Sequence, residues 1–169
     1  MFGFVLIAAV LLLERLNMLD LGTGPARAKD GDSLVFNGTE VRLHGIDAPE
    51  LNQTCGGPQG DYACGREARD ALRHLLRAQT ITCTALDTDR YGRAVSVCRA
   101  GNSEINREMV RLGWAVVYIR HSVAYVKVQQ QAKLARRGIW RGPFEMPETY
   151  RARHRTTQGN LGGSGDADD

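Results

Sequence analysis

The sequence has no Cys-x-x-Cys pair, no histidines at metal-ligating spacing, no internal repeat and only one long apolar run. Each absence removes a class of reading. Without a Cys-x-x-Cys pair, the cysteines at 55, 64, 83 and 98 do not suit a four-thiolate zinc site. The histidines at 44, 74, 121 and 154 are scattered and read as surface residues. The apolar run, residues 2–13, is closed by Glu14-Arg15 and is too short for an unstrained spanning helix. No polybasic cluster flanks it, which argues against a surface that docks on lipid head groups. Lysine is also nearly missing: of 22 basic side chains, all but Lys29, Lys127 and Lys133 are arginine.

That arginine bias is the first positive feature. The formal charge is +3, but residues 26–155 carry 21 basic against 14 acidic side chains, a net of +7. Arginine offers a planar fork of donors that matches phosphate, so a polyanionic partner is one explanation. An arginine-rich host proteome is the other. The apolar run has the length of a signal-peptide core, so residues 1–23 read as a hydrophobic leader. It is either cleaved near Gly22–Gly24 or kept as a membrane tether through residues 2–13, and a buried N-terminal helix is the structural alternative. A secreted or periplasmic monomer is expected. An even cysteine count behind such a leader implies two disulfides in an oxidising compartment. Of the three connectivities, local geometry favours Cys55–Cys64 across a loop and Cys83–Cys98 across a hairpin.

Residues 26–47 read as strand, turn, strand. Asn37-Gly38 between alternating apolar residues is a strong hairpin signal and sets Ser33 opposite Arg42 and Phe36 opposite Thr39. Gly45 permits a bend, and Pro49 ends pairing and opens the Gly-rich loop "NQTCGGPQGDYACG". A helix follows on Ala68, Leu72, Leu75 and Leu76. "ITCTALDTDRYGRAVSVCRAG" is a second hairpin turning on Asp89–Gly92. A short helix over "NSEINREMVRLG", a strand "WAVVYI" and a last helix from about Ser122 to Gly138 complete the domain, taken as residues 24–150. "IWRGPFEMPETYRARHR" reads as a docked irregular extension, and residues 151–169 as a polar, disordered tail. The class is α+β, and a small five-stranded antiparallel barrel with a helix between strands three and four would be an OB-fold, whose loops and face commonly bind nucleic acid.

"DGDS", "RLHGIDAPE" and "DRYGR" bring together Asp30, Asp32, Asp47 and Glu50 with Arg42 and Arg93. Asp32, Asp47 and a nearby carbonyl are hard oxygen ligands for a Ca²⁺- or Mg²⁺-like cation. A cation and two guanidinium groups around one phosphate would oppose the charge that builds up during hydrolysis, with Glu50 left to take a proton from water. The residues also have plainer uses. Asp30 suits a turn, Arg42 an ion pair with Asp32, and Asp87 and Asp89 a hairpin cap. Asp70 suits pairs with Arg66 and Arg73, and Glu67 a solvated first turn. Trp114 and Trp140 read as core, and Tyr91 and Tyr118 as either surface residues or base-stacking platforms.

"DGDS", "RLHGIDAPE", "DTDRYGR", "INREMVRLGWA" and "AKLARRGIW", in this order and spacing, resemble the staphylococcal nuclease (thermonuclease) family over roughly residues 26–141. The resemblance implies an OB barrel with three helices and Ca²⁺-dependent hydrolysis of DNA and RNA phosphodiesters. It assigns Asp32, Asp47 and the Ala48 carbonyl to the metal and Glu50 to general base. It assigns Arg42 and Arg93 to the phosphate, Arg90 to a lysine position of the family, and Tyr91 and Tyr118 to substrate binding. Ala48 replaces a threonine of the family, the cysteines are additions, and the loop before the helix and the extension after Trp140 depart from the pattern. Two other readings stand beside it. One is a silent binding module like the family's Tudor-associated repeats, although such modules lack parts of the acid and arginine set kept here. The other is a lipid-binding surface protein.

Overall fold

The computed structural model describes residues 19–161, with side chains to residue 155. The proposed leader core and tether, residues 2–13, and the tail beyond 161 lie outside the described residues. Among the described residues nine strands and four α-helices follow one another. The main sheet runs β1(Leu19–Gly24), β6(Ile81–Thr88), β7(Ala94–Ala100), β4(Thr39–Leu43), β3(Ser33–Phe36) and β2(Ala26–Ala28), with β8(Ser103–Glu104) paired to β7. A separate two-stranded ladder joins β5(Ile46–Asp47) to β9(Val116–Val117).

The α+β class holds, but the detail differs from the expected five-stranded barrel with three helices. The sheet is largely antiparallel, β4 and β7 pair in parallel, and among the described residues no ladder joins the edge strands β1 and β2. The helices are α1(Cys64–Leu76), α2(Ile105–Arg111), α3(Val126–Leu134) and α4(Pro147–Leu161). The first of the extra strands, β1, starts inside the segment taken for leader, where Leu19 and Asp20 pair with Ala85 and Thr84. The strand expected from residue 26 breaks at Lys29–Asp32, because Asp30 Oδ1 accepts from the Asp32 and Ser33 amides and shapes a turn.

The first hairpin keeps its expected register. Asn37 and Gly38 both have positive φ, the primed turn their sequence calls for, and Ser33 faces Arg42. In the second hairpin Thr88 faces Ala94, one residue off a tight Asp89–Gly92 closure. A bulge between Ala85 and Asp87 restores the frame, so Cys83 faces Cys98. Both expected disulfides, Cys55–Cys64 and Cys83–Cys98, are formed.

The core fills with alternate residues of β3, β4 and β6 (Leu34, Phe36, Val41, Leu43, Ile81), and α1 lays Ala68, Leu72 and Leu76 against them at helical spacing. Burying a side chain such as Leu72 contributes about 2–3 kcal/mol. Buried Asn106 on α2 donates to the carbonyls of His44 and Ser96 and accepts from the Cys98 amide. It thereby fixes the end of β4, where the chain must turn into the site. No described helix is long and apolar enough to cross a membrane.

Candidate functional site

Hairpin register brings Arg42 beside Asp32, and a left-handed Gly45 (φ +75) does the rest. The Gly45 carbonyl accepts from the Tyr118 amide at 3.0 Å, which lets β5 pair with β9 and turns Asp47 inward, 1% exposed. Arg42 Nη2 then lies 3.1 Å from both Asp32 Oδ2 and Asp47 Oδ1. The Ala48 amide donates to Asp32 Oδ2 at 3.1 Å, and the Ser33 hydroxyl to Asp32 Oδ1 at 3.2 Å. Two buried carboxylates thus share one guanidinium.

Glu50 follows Pro49 on a loop closed by Gln53. The Gln53 amide donates to the Glu50 carbonyl (2.7 Å), and the Glu50 amide donates to Gln53 Oε1 (3.2 Å). Arg93, across the cavity, is held by Asp89 Oδ2 at Nε (2.7 Å) and by Glu40 Oε1 at Nη1 (2.9 Å). Arg90 and Arg93 lie 4.9 and 5.6 Å from the Tyr91 ring, which is itself 69% exposed. Tyr118 packs against His121. Asp32, Arg42, Ala48, Glu50, Arg90, Tyr91, Arg93 and Tyr118 all line one cavity of about 600 Å³, and Asp47 sits behind Arg42 and Arg151 at its wall.

Charge and burial decide how these groups titrate. Burial, together with the neighbouring Asp32 carboxylate, pushes the Asp47 carboxyl up to about 6 against the pull of Arg151 and Arg42. Burial and then Asp32 push Asp30 up to about 6 as well. The floor of the cavity thus holds crowded acids, Asp47 relieved by the guanidinium groups of Arg151 and Arg42 and Asp30 by the backbone amides of Asp32 and Ser33. Glu40 moves the other way, held below its usual range by the hydrogen bond from Lys29 and then by that from Arg93.

Some of the plainer expectations change. Asp70 pairs with Arg69 and Arg73, not Arg66, and Glu67 is held by Arg141 at 2.9 Å. The larger correction is C-terminal. Part of the segments read as an irregular extension and a disordered tail, Pro147–Leu161, forms α4, and Arg151 enters the site. Its Nη1 and Nη2 donate to Asp47 Oδ1 and Oδ2, each at 2.9 Å, and Nη1 also donates to Glu50 Oε1 at 2.9 Å. Burial opposes its charge, but the Asp47 and Glu50 contacts hold the guanidinium firmly protonated. The signal for this helix was Pro147 at its first position followed by Glu148. Gln53 and Glu40 were also missed; nothing local in the sequence marks either as belonging to the site.

Among the described residues no three Cys, His, Asp or Glu side chains converge as a ready-made metal cage. The hard donors at this site are the carboxylates of Asp32 and Asp47 plus main-chain carbonyls, a set that suits an oxygen-seeking cation completed by water.

The chain is similar in sequence to uncharacterized and probable nucleases. Residues 40–142 match the family model described as staphylococcal nuclease homologue. A probable endonuclease of Schizophyllum commune is 35% identical over 136 residues, covering 68% of this chain and 45% of the relative. An uncharacterized endonuclease of Escherichia coli O157:H7 is 33% identical over 128 residues, covering 72% of this chain and 78% of the relative. A probable staphylococcal-like nuclease of Oryza sativa subsp. japonica is 28% identical over 130 residues, covering 75% and 32%. The chain spans less than half the length of the fungal and rice relatives. Because the matched segment is more than half of the chain and contains Arg42, Asp47, Glu50 and Arg93, the chain belongs to the staphylococcal nuclease homologue family.

Proposed function

We propose that this protein is a nuclease that hydrolyses phosphodiester bonds of DNA or RNA with the help of Ca²⁺. The observation that carries the reading is one cavity lined by buried Asp32 and by Arg42, Arg93 and Glu50, with buried Asp47 held at its wall by Arg42, in a chain of this family. The donor chemistry fits a hard cation: Asp32 and Asp47 offer only oxygen, and the full positive charges that meet their mutual repulsion are the guanidinium groups of Arg42 and Arg151. Asp32, Asp47 and the Ala48 carbonyl would hold Ca²⁺, which when bound supplies positive charge against the charge gathering on the phosphate.

The chain's own residues do the rest. Arg42 reaches the cavity from a strand pinned at both ends, so its fork is preorganised to donate to a non-bridging phosphate oxygen. Arg93, fixed through Nε and Nη1 by Asp89 and Glu40, presents its guanidinium to the same phosphate from the other side. Glu50 takes the proton of the attacking water, a role that suits its side chain, 39% exposed at the cavity edge. Arg90, Tyr91 and Tyr118 contact the flanking nucleotides, the tyrosines by stacking. Two disulfides and no free cysteine among the described residues support an oxidising compartment, and the protein is proposed to act there as a secreted or periplasmic monomer.

The purified chain should degrade single-stranded DNA or RNA with Ca²⁺ and stop on chelation. Glu50→Gln or Arg42→Ala should lower kcat by roughly 10²–10⁴ with little change in nucleotide binding. Full activity in either variant would sink the mechanism. Binding without cleavage under all cation conditions would favour a silent nucleic-acid-binding module.

A further inference from the structure

Arg151 covers the carboxylate on which the metal-dependent reading most depends. Nη1 donates to Asp47 Oδ1 and Nη2 to Asp47 Oδ2, and Arg42 Nη2 donates to the same Oδ1 at 3.1 Å. A carboxylate oxygen has about two lone-pair directions, so Oδ1 is saturated and Oδ2 is half used. A hard cation binds such an oxygen at roughly 2.3–2.6 Å and would meet a guanidinium already in contact with it. Glu50 is engaged in the same fork through Oε1. The docked arginine therefore covers a metal ligand and the general base together.

We propose that Arg151 and the divalent cation compete for Asp47, so that α4 leaves the cavity when the cation binds and Arg151 sets the cation affinity of the site. This rests on the metal-dependent reading given above. The way α4 is held makes such a release inexpensive. From 147 to 155 only Pro147 is buried. Beyond Arg151, α4 makes exposed polar contacts: Glu148 pairs with Arg120 at 3.2 Å, and the Tyr150 hydroxyl donates to the Asn52 carbonyl at 3.4 Å. Arg153 pairs at 2.6 Å with Glu145, which lies at the root of the helix. Exposed pairs of this kind contribute little. The segment just before the helix has a firmer anchor, since buried Gln53 donates through Nε2 to the Glu145 carbonyl at 2.7 Å. The helix can swing out while its root stays attached to the loop that carries Glu50.

A site that must first expel its own cation binds the incoming one more weakly in inverse proportion to the undocked fraction, so a site undocked about a tenth of the time loses about tenfold. Removing Arg151 should therefore tighten Ca²⁺ binding by about tenfold or more. The test is calorimetric titration of Ca²⁺ into the full chain, comparing wild type, Arg151→Gln and the double variant Glu148→Gln/Tyr150→Phe, which loosens α4 and leaves Arg151 in place. Tighter binding in Arg151→Gln, an intermediate value in the double variant, and faster amide exchange of residues 147–155 in wild type on adding Ca²⁺ are expected. Equal affinity in wild type and Arg151→Gln overturns the competition and leaves the metal-dependent nuclease standing. Weaker binding in Arg151→Gln also overturns it and makes Arg151 a support for the ligand set. No Ca²⁺ binding in any of the three overturns both readings. Should Arg151→Gln fail to fold, the double variant decides alone, with unchanged affinity counting against the proposal.

Discussion

Asp47 is presented from β5 at the cavity wall, in a floor woven from strands, a disulfide and the packed face of α1. Arg151 enters from α4, a roof with one buried residue in its first nine positions. The floor is secured by apolar burial and backbone ladders, which are lost only on unfolding. The roof is secured by charge and a few polar contacts, which another cation or salt can replace. A site built this way keeps its ligands in register while leaving their occupant exchangeable. Precision and access are assigned to different parts of the chain.

That contrast can be broken experimentally. The largest effect should come from the floor: Leu72→Ala should cost about 2–5 kcal/mol in chemical denaturation, with the α4 contacts unaffected in relative terms. A loss below about 1 kcal/mol would mean the core under the site is not closely packed. Gln53 belongs to both regions, and Gln53→Ala strips a partner from the Glu50 amide and the Glu145 carbonyl. About 1–3 kcal/mol of destabilisation is expected, with a lower kcat as Glu50 loosens. A stability loss with kcat unchanged would place Gln53 in the scaffold only.

The buried acids give a pH test. The folded value of Asp30 lies near 6, above its ordinary 3.8. Its contribution to stability is therefore present below pH 4 and lost as pH rises through 6. Asp30→Asn keeps an acceptor for the Asp32 and Ser33 amides and removes that loss. The difference in Tm between Asp30→Asn and wild type should shift in favour of the variant from pH 4 to pH 7 without metal, and a flat difference would contradict it. The smallest effect should come from the roof. Glu148→Gln should change global stability by no more than about 0.5 kcal/mol, since it breaks only an exposed pair with Arg120. A loss several times larger would show that α4 is part of the core.

The floor was far more legible in the sequence than the roof, and the reasons are local. Asn37-Gly38 dictates a turn type and hence a register, so the neighbourhood of Arg42 and Asp32 follows from residues a few positions apart. The Cys83–Cys98 pairing was also legible, although by a cancellation. The turn slips the hairpin by one residue and the bulge beside Leu86 takes the slip back, so a simple register landed on the right pair. Strand β1 was hidden because its six residues adjoin an apolar run and were absorbed into it. Helix α4 was hidden because it has no apolar stripe: in "ETYRARHR" four of eight positions are charged and only Tyr150 and Ala152 are apolar, and periodicity is the signal by which helices are recognised. Arg151 reaches Asp47 across 104 residues of chain, and no spacing rule spans that interval.

The two disulfides bear on how the chain acquires this shape. They join residues only 9 and 15 apart, each within a loop or a single hairpin. Neither spans the parallel ladder in which Val41 meets Ala94. Oxidation therefore rigidifies local pieces early and leaves the long-range search undiminished. Closing the loop between β4 and β7 carries an entropic cost that grows with the logarithm of its length, and contacts this remote slow folding. The ladder that brings Arg42 and Arg93 to one cavity thus gains nothing from either disulfide, and the site is assembled only when the domain is.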